Sequence, residues 1–270
     1  MPKIPATRIR KLLRSKDPAM RAQGRELTAT FGAAGVKAVI GTLKRLKGFD
    51  LSGFDLTGIK LAGRDLREAN LSGCTLAGMD LTTVNLEGAD LRRADLKKAT
   101  LSKLSLKGVH LDGADLSGAI LREAHGEVTI TGARFVGADL REARLTIKER
   151  GGADFSGADL RQANLHGGWL SKAVSPPMKL VGADLRQAIL RALWLRETDL
   201  TGADLRQASL VGITLERARI DGVRWEGTTP TSLTIHQMDL RGVTGLNLER
   251  STTIQGDRCD LSGLSLPDRV

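Results

Sequence analysis

The phrase ADLRQA occurs three times, at 158–163, 183–188 and 203–208, and sets Arg161, Arg186 and Arg206 beside Gln162, Gln187 and Gln207. Arginine presents five N–H donors in a planar fork and glutamine a two-donor amide. Three such pairs brought into line would recognise carbonyl or carboxylate oxygens, and they would cleave nothing. Trp169 and Trp194 each follow one of the first two arginines by eight residues, and exposed tryptophan with arginine is the composition of protein-binding hot spots. The alternative is that the two indoles only cover each other or hold the chain between them. A second set of cations, Arg8, Arg10, Lys11, Arg14, Arg21 and Arg25, lies near the start of the chain. It is suited to nucleic acid or another polyanion.

Other chemistry is sparse. Cys74 and Cys259 both read as small core fillers, and His110, His125, His166 and His236 show no metal-ligand spacing. No Gly-rich phosphate loop follows a strand and no nucleophile has a placed base. Aspartates abound, but they recur at one fixed position of a repeat, so two of them close together carry no catalytic meaning. The expectation is a protein that is not an enzyme and uses no metal and no cofactor.

The elements that would position these side chains follow from one regularity: from Leu51 to Leu121 every fifth residue is leucine. A period of five suits neither the 3.6-residue helix nor the two-residue strand alternation. Leucines that share one interior therefore require the chain to turn every five residues, which makes a solenoid whose turns bury their apolar side by stacking on each other. With leucine as position i, position i−2 is Ala69, Ala89, Ala94, Ala99, Ala114 or Ala119, with Cys74, Val84 and Val109 among them, and also faces inward. Position i−1 is mostly Asp or Asn (Asp65, Asn70, Asp80, Asn85, Asp90) and faces outward, where short side chains hydrogen-bond nearby backbone. Glycine at i+2 (Gly53, Gly58, Gly63, Gly73) supplies the positive φ of a type II turn, whereas Glu68, Arg93 and Lys98 at that position predict another turn type.

This A(D/N)LXX pattern, plainest in GADLRRADLKKA at 88–99 and LDGADLSGA at 111–119, resembles the pentapeptide-repeat family. The resemblance implies an all-β solenoid, a right-handed quadrilateral β-helix with twenty residues per coil, over about 49–266. It also implies mainly non-catalytic interaction proteins. One branch, the quinolone-resistance proteins, protects DNA gyrase by imitating duplex DNA with an acidic surface. Here the repeat region is neutral, its i positions are chiefly Leu, and no functional residue is carried over from that branch.

Residues 1–48 predict a small α-helical N-terminal cap and 49–270 the β-helix, irregular at 122–132, 146–152 and 171–179 and degenerate after 226. The first 48 residues hold twelve of the 41 Lys/Arg and two of the 31 Asp/Glu, so the whole net charge of +10 sits there. Three helices are expected in it. One is a basic helix over 5–16 with Ile9, Leu12 and Leu13 on one side. A second is capped by Asp17-Pro18 and carries Leu27 and Phe31. The third, after Gly32 and Gly35, carries Val36, Val39, Ile40 and Leu43, with Leu46 at its end. Solenoids need such a cap over the open edge of their first coil. Phe49 and Phe54 at i−2 predict that the first coil packs on it.

Three breaks interrupt the repeat. Nine residues separate Leu121 from Ile130 where ten would keep phase, so HGEVTI holds a tight bulge or deletion. In TIKERGG, Arg150 stands at a core position and must loop outward. The ADLRQA copies are spaced 25 and then 20 apart. Looping out five residues around Ser175-Pro176-Pro177 restores register, stacks the three arginines in one column with the glutamines alongside and sets Trp169 above Trp194. Whether Arg141 extends the column depends on how much of 146–152 loops out.

With no apolar stretch of transmembrane length and no signal peptide, the chain reads as cytoplasmic and bacterial. The expected function is a scaffold or protein–protein interaction module on a rigid rod. The alternatives are a nucleic-acid- or topoisomerase-associated protein using the basic helices, and a structural subunit of a larger assembly joined through its C-terminal end.

Overall fold

The computed structural model describes residues 5–149, 152–167, 177–240, 243–246 and 253–255. Three helices come first, α1 (Ala6–Leu13), α2 (Pro18–Ala29) and α3 (Gly32–Ile40), and a β-solenoid follows. Its regular strands are short: β1 (Val109–His110), β2 (His125–Thr129), β3 (Arg144–Glu149), β4 (Asn164–Gly167), β5 (Ile189–Arg191), β6 (Trp194–Arg196), β7 (Ser209–Val211), β8 (Thr214–Glu216), β9 (Thr229–Thr231), β10 (Thr234–His236) and β11 (Thr253–Gln255). They form a seven-stranded parallel sheet ordered β1-β2-β3-β4-β5-β7-β9 and a four-stranded one ordered β6-β8-β10-β11. Elsewhere single parallel bridges link the coils in four rails, among them Arg45–Asp65–Asn85, Asp50–Asn70–Asp90–His110, Asp55–Thr75–Asp95–Asp115 and Asp80–Thr100–Ile120. Four rails with a twenty-residue step make a four-sided coil.

The five-residue side explains its own sequence through its N–H groups. Taking Leu51 as i, its N–H donates to Asn70 O of the next coil at 2.8 Å, Gly53 N–H to Ser72 O at 2.8 Å, and Phe54 N–H closes the corner on Leu51 O at 3.1 Å. The i−1 N–H points to the preceding coil, as Asn70 N–H does to Phe49 O at 2.8 Å. Only the i+1 N–H is left, and the i−1 carboxylate or amide takes it: Ser52 N–H to Asp50 Oδ1 at 3.1 Å, Ser72 N–H to Asn70 Oδ1 at 3.1 Å. Asp or Asn at i−1 thus completes the account of backbone donors. The leucines fill the interior, with Leu51, Leu71, Leu96 and Leu121 fully buried and the i−2 alanines packed beside them. Where Phe135 and Phe155 replace leucine on successive coils, their rings stack at 4.6 Å.

The corners correct one expectation. Glu68, Arg93 and Lys98 take φ of 57°, 58° and 56°, in the same left-handed region as the glycines. Their N–H groups bond the next coil (Glu68 to Glu87 O at 2.9 Å, Arg93 to Asp112 O at 2.9 Å). The ladder holds the peptide there against a cost of about 1–2 kcal/mol per residue. The cap corrects others. α2 buries Gly24 and Thr28, while Leu27 and Phe31 are only half-buried, because α1 crosses so close that a Cβ on Gly24 would lie 2.9 Å from Leu12 Cβ. α3 begins at Gly32 and ends at Ile40, and Leu46 belongs to the first coil, its N–H on Asp65 O at 2.7 Å.

The first break is a one-residue deletion. Ser105 pairs with His125, twenty residues on, but Asp115 pairs with Arg134, nineteen on. Gly126 absorbs the difference at φ 132°, where a Cβ would sit 2.7 Å from Lys107 N. The 25-residue step is present too: Asp159 pairs with Asp184, and Asp184 with Asp204. Arg150 and most of the Ser175-Pro176-Pro177 segment fall outside the described residues. Past 226 the described chain keeps step, with Leu210 paired to Pro230 and Leu215 to Ile235. The register then moves by one residue where Thr234 meets Thr253.

Gly126→Ala meets both a forbidden φ and backbone in its path. It is expected to lower unfolding stability in urea by about 2–3 kcal/mol. Gly132→Ala, at φ 66° with open space around it, should lose only about 1 kcal/mol.

Candidate interaction sites

The twenty-residue step, with the longer one before Lys179, aligns the ADLRQA copies on successive coils. Arg161 sits at i+1 and reaches back to the i−1 aspartate of its own coil, Nε to Asp159 Oδ1 at 2.9 Å and Nη2 to Asp159 Oδ2 at 2.7 Å. Arg186 grips Asp184 and Arg206 grips Asp204 by the same two bonds. Arg141 does so with Asp139, so it joins the column. The first three forks also lie near the carboxylate of the next coil: Arg141 to Asp159 3.4 Å, Arg161 to Asp184 3.7 Å, Arg186 to Asp204 3.9 Å. Alongside runs an amide ladder. Gln162 Nε2 donates to Gln187 Oε1, and Gln187 Nε2 to Gln207 Oε1, both at 2.9 Å.

Column and ladder line a groove of about 580 Å³, with Glu142 and Glu226 also in its wall. The bidentate bonds hold the electrostatics steady. The hydrogen bond from Arg206 keeps Asp204 below the usual carboxylate range, and the one Arg161 donates to Asp159 raises Arg161. Neighbouring like charges are therefore interleaved with opposite ones, and the guanidiniums are largely neutralised as well as fixed.

Trp194 does not share this groove. It lies on β6 in the four-stranded sheet, 37% exposed, with its indole N–H on Glu216 Oε2 at 3.1 Å and Arg196 Nε 3.4 Å from Glu216 Oε1. The sequence suggested tryptophan beside the arginine column, but the chain turns twice between Arg186 and Trp194 and places them on different faces. Trp169 lies outside the described residues, as do Cys259 and the C-terminal end. Cys74 is fully buried, and burial pushes its thiol up to about 12.

The basic arm divides. Arg10 caps the end of α3, Nε to Val39 O at 2.6 Å and Nη2 to Ala38 O at 3.1 Å. Arg21 (3.5 Å) and Arg25 close on Asp50, whose side chain is 4% exposed, and Arg14 lies over the Phe49 ring at 5.5 Å. Arg8 and Lys11 are exposed. Two residues at this junction escaped sequence reasoning. Asp50 looks like any other i−1 aspartate, yet it ties α2 to the first coil. Arg64 occupies an i−2 position where alanine is usual and donates to Ile40 O and Gly41 O at 2.5 and 2.6 Å. The break in the i−2 pattern was the signal.

Comparison with protein families matches this arrangement to pentapeptide repeats, in eight copies, over 50–88, 65–102, 89–125, 151–174 and 179–217, together just over half of the chain. The chain belongs to the pentapeptide-repeat family. Among solved pentapeptide-repeat proteins, it is similar to HetL, involved in heterocyst differentiation regulation in the cyanobacterium Nostoc sp. strain PCC 7120 (25% identity over 70% of this chain and 88% of that one, TM-score 0.29). It is also similar to full-length QnrB1, a plasmid-mediated fluoroquinolone resistance protein (17%, 76% and 91%, TM-score 0.32). A third is a pentapeptide-repeat protein of the Arabidopsis thaliana thylakoid lumen (30%, 42% and 72%, TM-score 0.22). A comparison with curated proteins found no match.

A carboxylate held below its unfolded value adds stability that is complete above about pH 4. That stability is lost as pH falls through the folded value. Arg67 holds Asp65 down to about 2 by its side-chain hydrogen bond, and Arg206 lowers Asp204 in the same manner. The melting temperature should therefore stay level with respect to these groups from pH 7 to 5 and fall between pH 4 and 2. The Asp65→Asn variant should lose part of that acid dependence.

Proposed function

We propose that this pentapeptide-repeat chain is a non-catalytic scaffold that presents fixed columns of side chains to a protein partner. The observation that supports this reading is the preorganisation of the Arg141–Arg206 corner. The carboxylates set each guanidinium, and the glutamines set one another. A partner docking there freezes few rotamers, which is the main way a rigid surface gains affinity. Each fork still offers its Nη1 hydrogens, and each glutamine amide one further N–H, so the matching surface is rich in carbonyl or carboxylate oxygens. Trp194, on another face, is a separate candidate anchor. The setting we propose is the cytoplasm of a bacterium; no helix among the described residues is long and apolar enough to cross a membrane.

The test is capture of partners from host lysate on the immobilised protein at moderate salt, read by quantitative mass spectrometry. A specific partner should be depleted more than tenfold by Arg161→Gln/Arg186→Gln, a variant whose melting temperature stays within a few degrees of wild type. Equal recovery of every captured protein by wild type and by both this variant and Trp194→Ala would contradict the proposal.

A further inference from the structure

The helical cap carries the net charge of the whole chain, and its side-chain contacts divide that charge into a spent part and a free part. Arg10, Arg21 and Arg25 are turned inward on carbonyls and Asp50, and Lys47 pairs with Glu68 at 3.0 Å. Arg8, Lys11, Lys16, Lys37, Lys44 and Arg45 are exposed, and among the described residues their side chains make no ion pair or hydrogen bond. Of the two acids in this segment, Asp17 spends its side chain on the first turn of α2, bonding Ala19 N–H at 2.8 Å, which leaves Glu26. Arg8 and Lys11 stand three apart on one side of α1, away from the buried Ile9 and Leu13.

The apolar side of the same helices offers little open surface, with Leu27 and Phe31 half-buried. Ile9, Leu13, Val39 and Ile40 are fully buried and Val36 nearly so; Met20 is the large apolar side chain exposed on the described cap. Residues 1–48 contain no tryptophan and no tyrosine. A bilayer-inserting helix needs an outward apolar face, and a single-strand site needs aromatic platforms for the bases. A surface of unpaired cations without any of these matches a regular array of phosphates. It is also rigid, because Arg64 and Asp50 tie the helices to the first coil.

We infer that the outer face of the cap docks on the phosphate backbone of a nucleic-acid duplex, without reading base sequence. This goes beyond the scaffold reading and uses different residues. The cap holds the duplex at one end of the solenoid, and the Arg–Gln corner remains open to a protein.

Binding of the full chain to a fluorescent 20-base-pair DNA duplex, followed by anisotropy between 50 and 200 mM NaCl, tests it. With about five phosphates neutralised, affinity should fall by several hundred-fold over that range. Arg8→Glu/Lys11→Glu should keep the wild-type melting temperature, bind more than tenfold more weakly at 50 mM NaCl, and flatten the salt slope by about two. Arg93→Glu/Lys98→Glu, which removes two exposed cations from the solenoid, should bind as wild type does, and so should Arg161→Gln/Arg186→Gln. The inference is overturned by any of four results: no duplex binding at 50 mM NaCl, equal weakening by the solenoid variant, a single strand bound as tightly as the duplex, or tighter binding to phosphatidylserine-containing vesicles than to DNA.

Discussion

Every backbone N–H on the five-residue sides around Leu51 and Leu71 has a partner, and the rest of the molecule depends on that pattern of closure. Two donors point to the next coil, one to the preceding coil, one closes the corner, and the last is taken by the side chain at i−1, as the bonds around Leu51 and Asn70 show. No regular helix is needed, and for much of the length no extended strand either; single bridges suffice because three or four of them recur on successive coils. Leucine and alanine then fill most of the interior, and Phe135, Phe155 and Trp225 take leucine positions within it. A large-to-small change such as Leu101→Ala would leave a void that neighbouring coils, fixed by their own ladders, cannot collapse to fill.

A solenoid built this way has a problem only at its ends, and the charged residues of the first coil reflect it. Where no coil lies beneath, α1 supplies the acceptor for Asp50 N–H, Leu13 O at 2.9 Å. Arg64 replaces an alanine because its guanidinium can satisfy the last carbonyls of α3. Burying these charges is tolerable because each is paired or hydrogen-bonded. The cap is thus bonded to the coil as well as packed on it, and the cations left outside are held at fixed positions.

Much of this was legible in the residues, for physical reasons. The leucine period fixes the five-residue side, a one-residue phase slip must be absorbed where a glycine can take an unusual φ, and an offset of 25 declares five surplus residues. The arginine column followed from register alone. What the sequence hid was context. Nothing local distinguishes Asp50 from Asp80, since one is buried only because α2 arrives over it. The left-handed φ of Glu68 and Arg93 is imposed by ladder bonds, against their own preference. Trp194 seemed to belong with the arginines because eight residues is a short distance along a chain, but on this fold it is two corners.

The donor account is tested most directly by amide hydrogen exchange resolved by residue across Leu81–Leu121. It predicts a five-residue rhythm of protection, with slow exchange at i−1, i and i+2, where the partner is the adjacent coil, and the fastest at i+1, where no backbone acceptor holds the proton. Protection that is uniform along the segment, or that recurs every three to four residues, would contradict it.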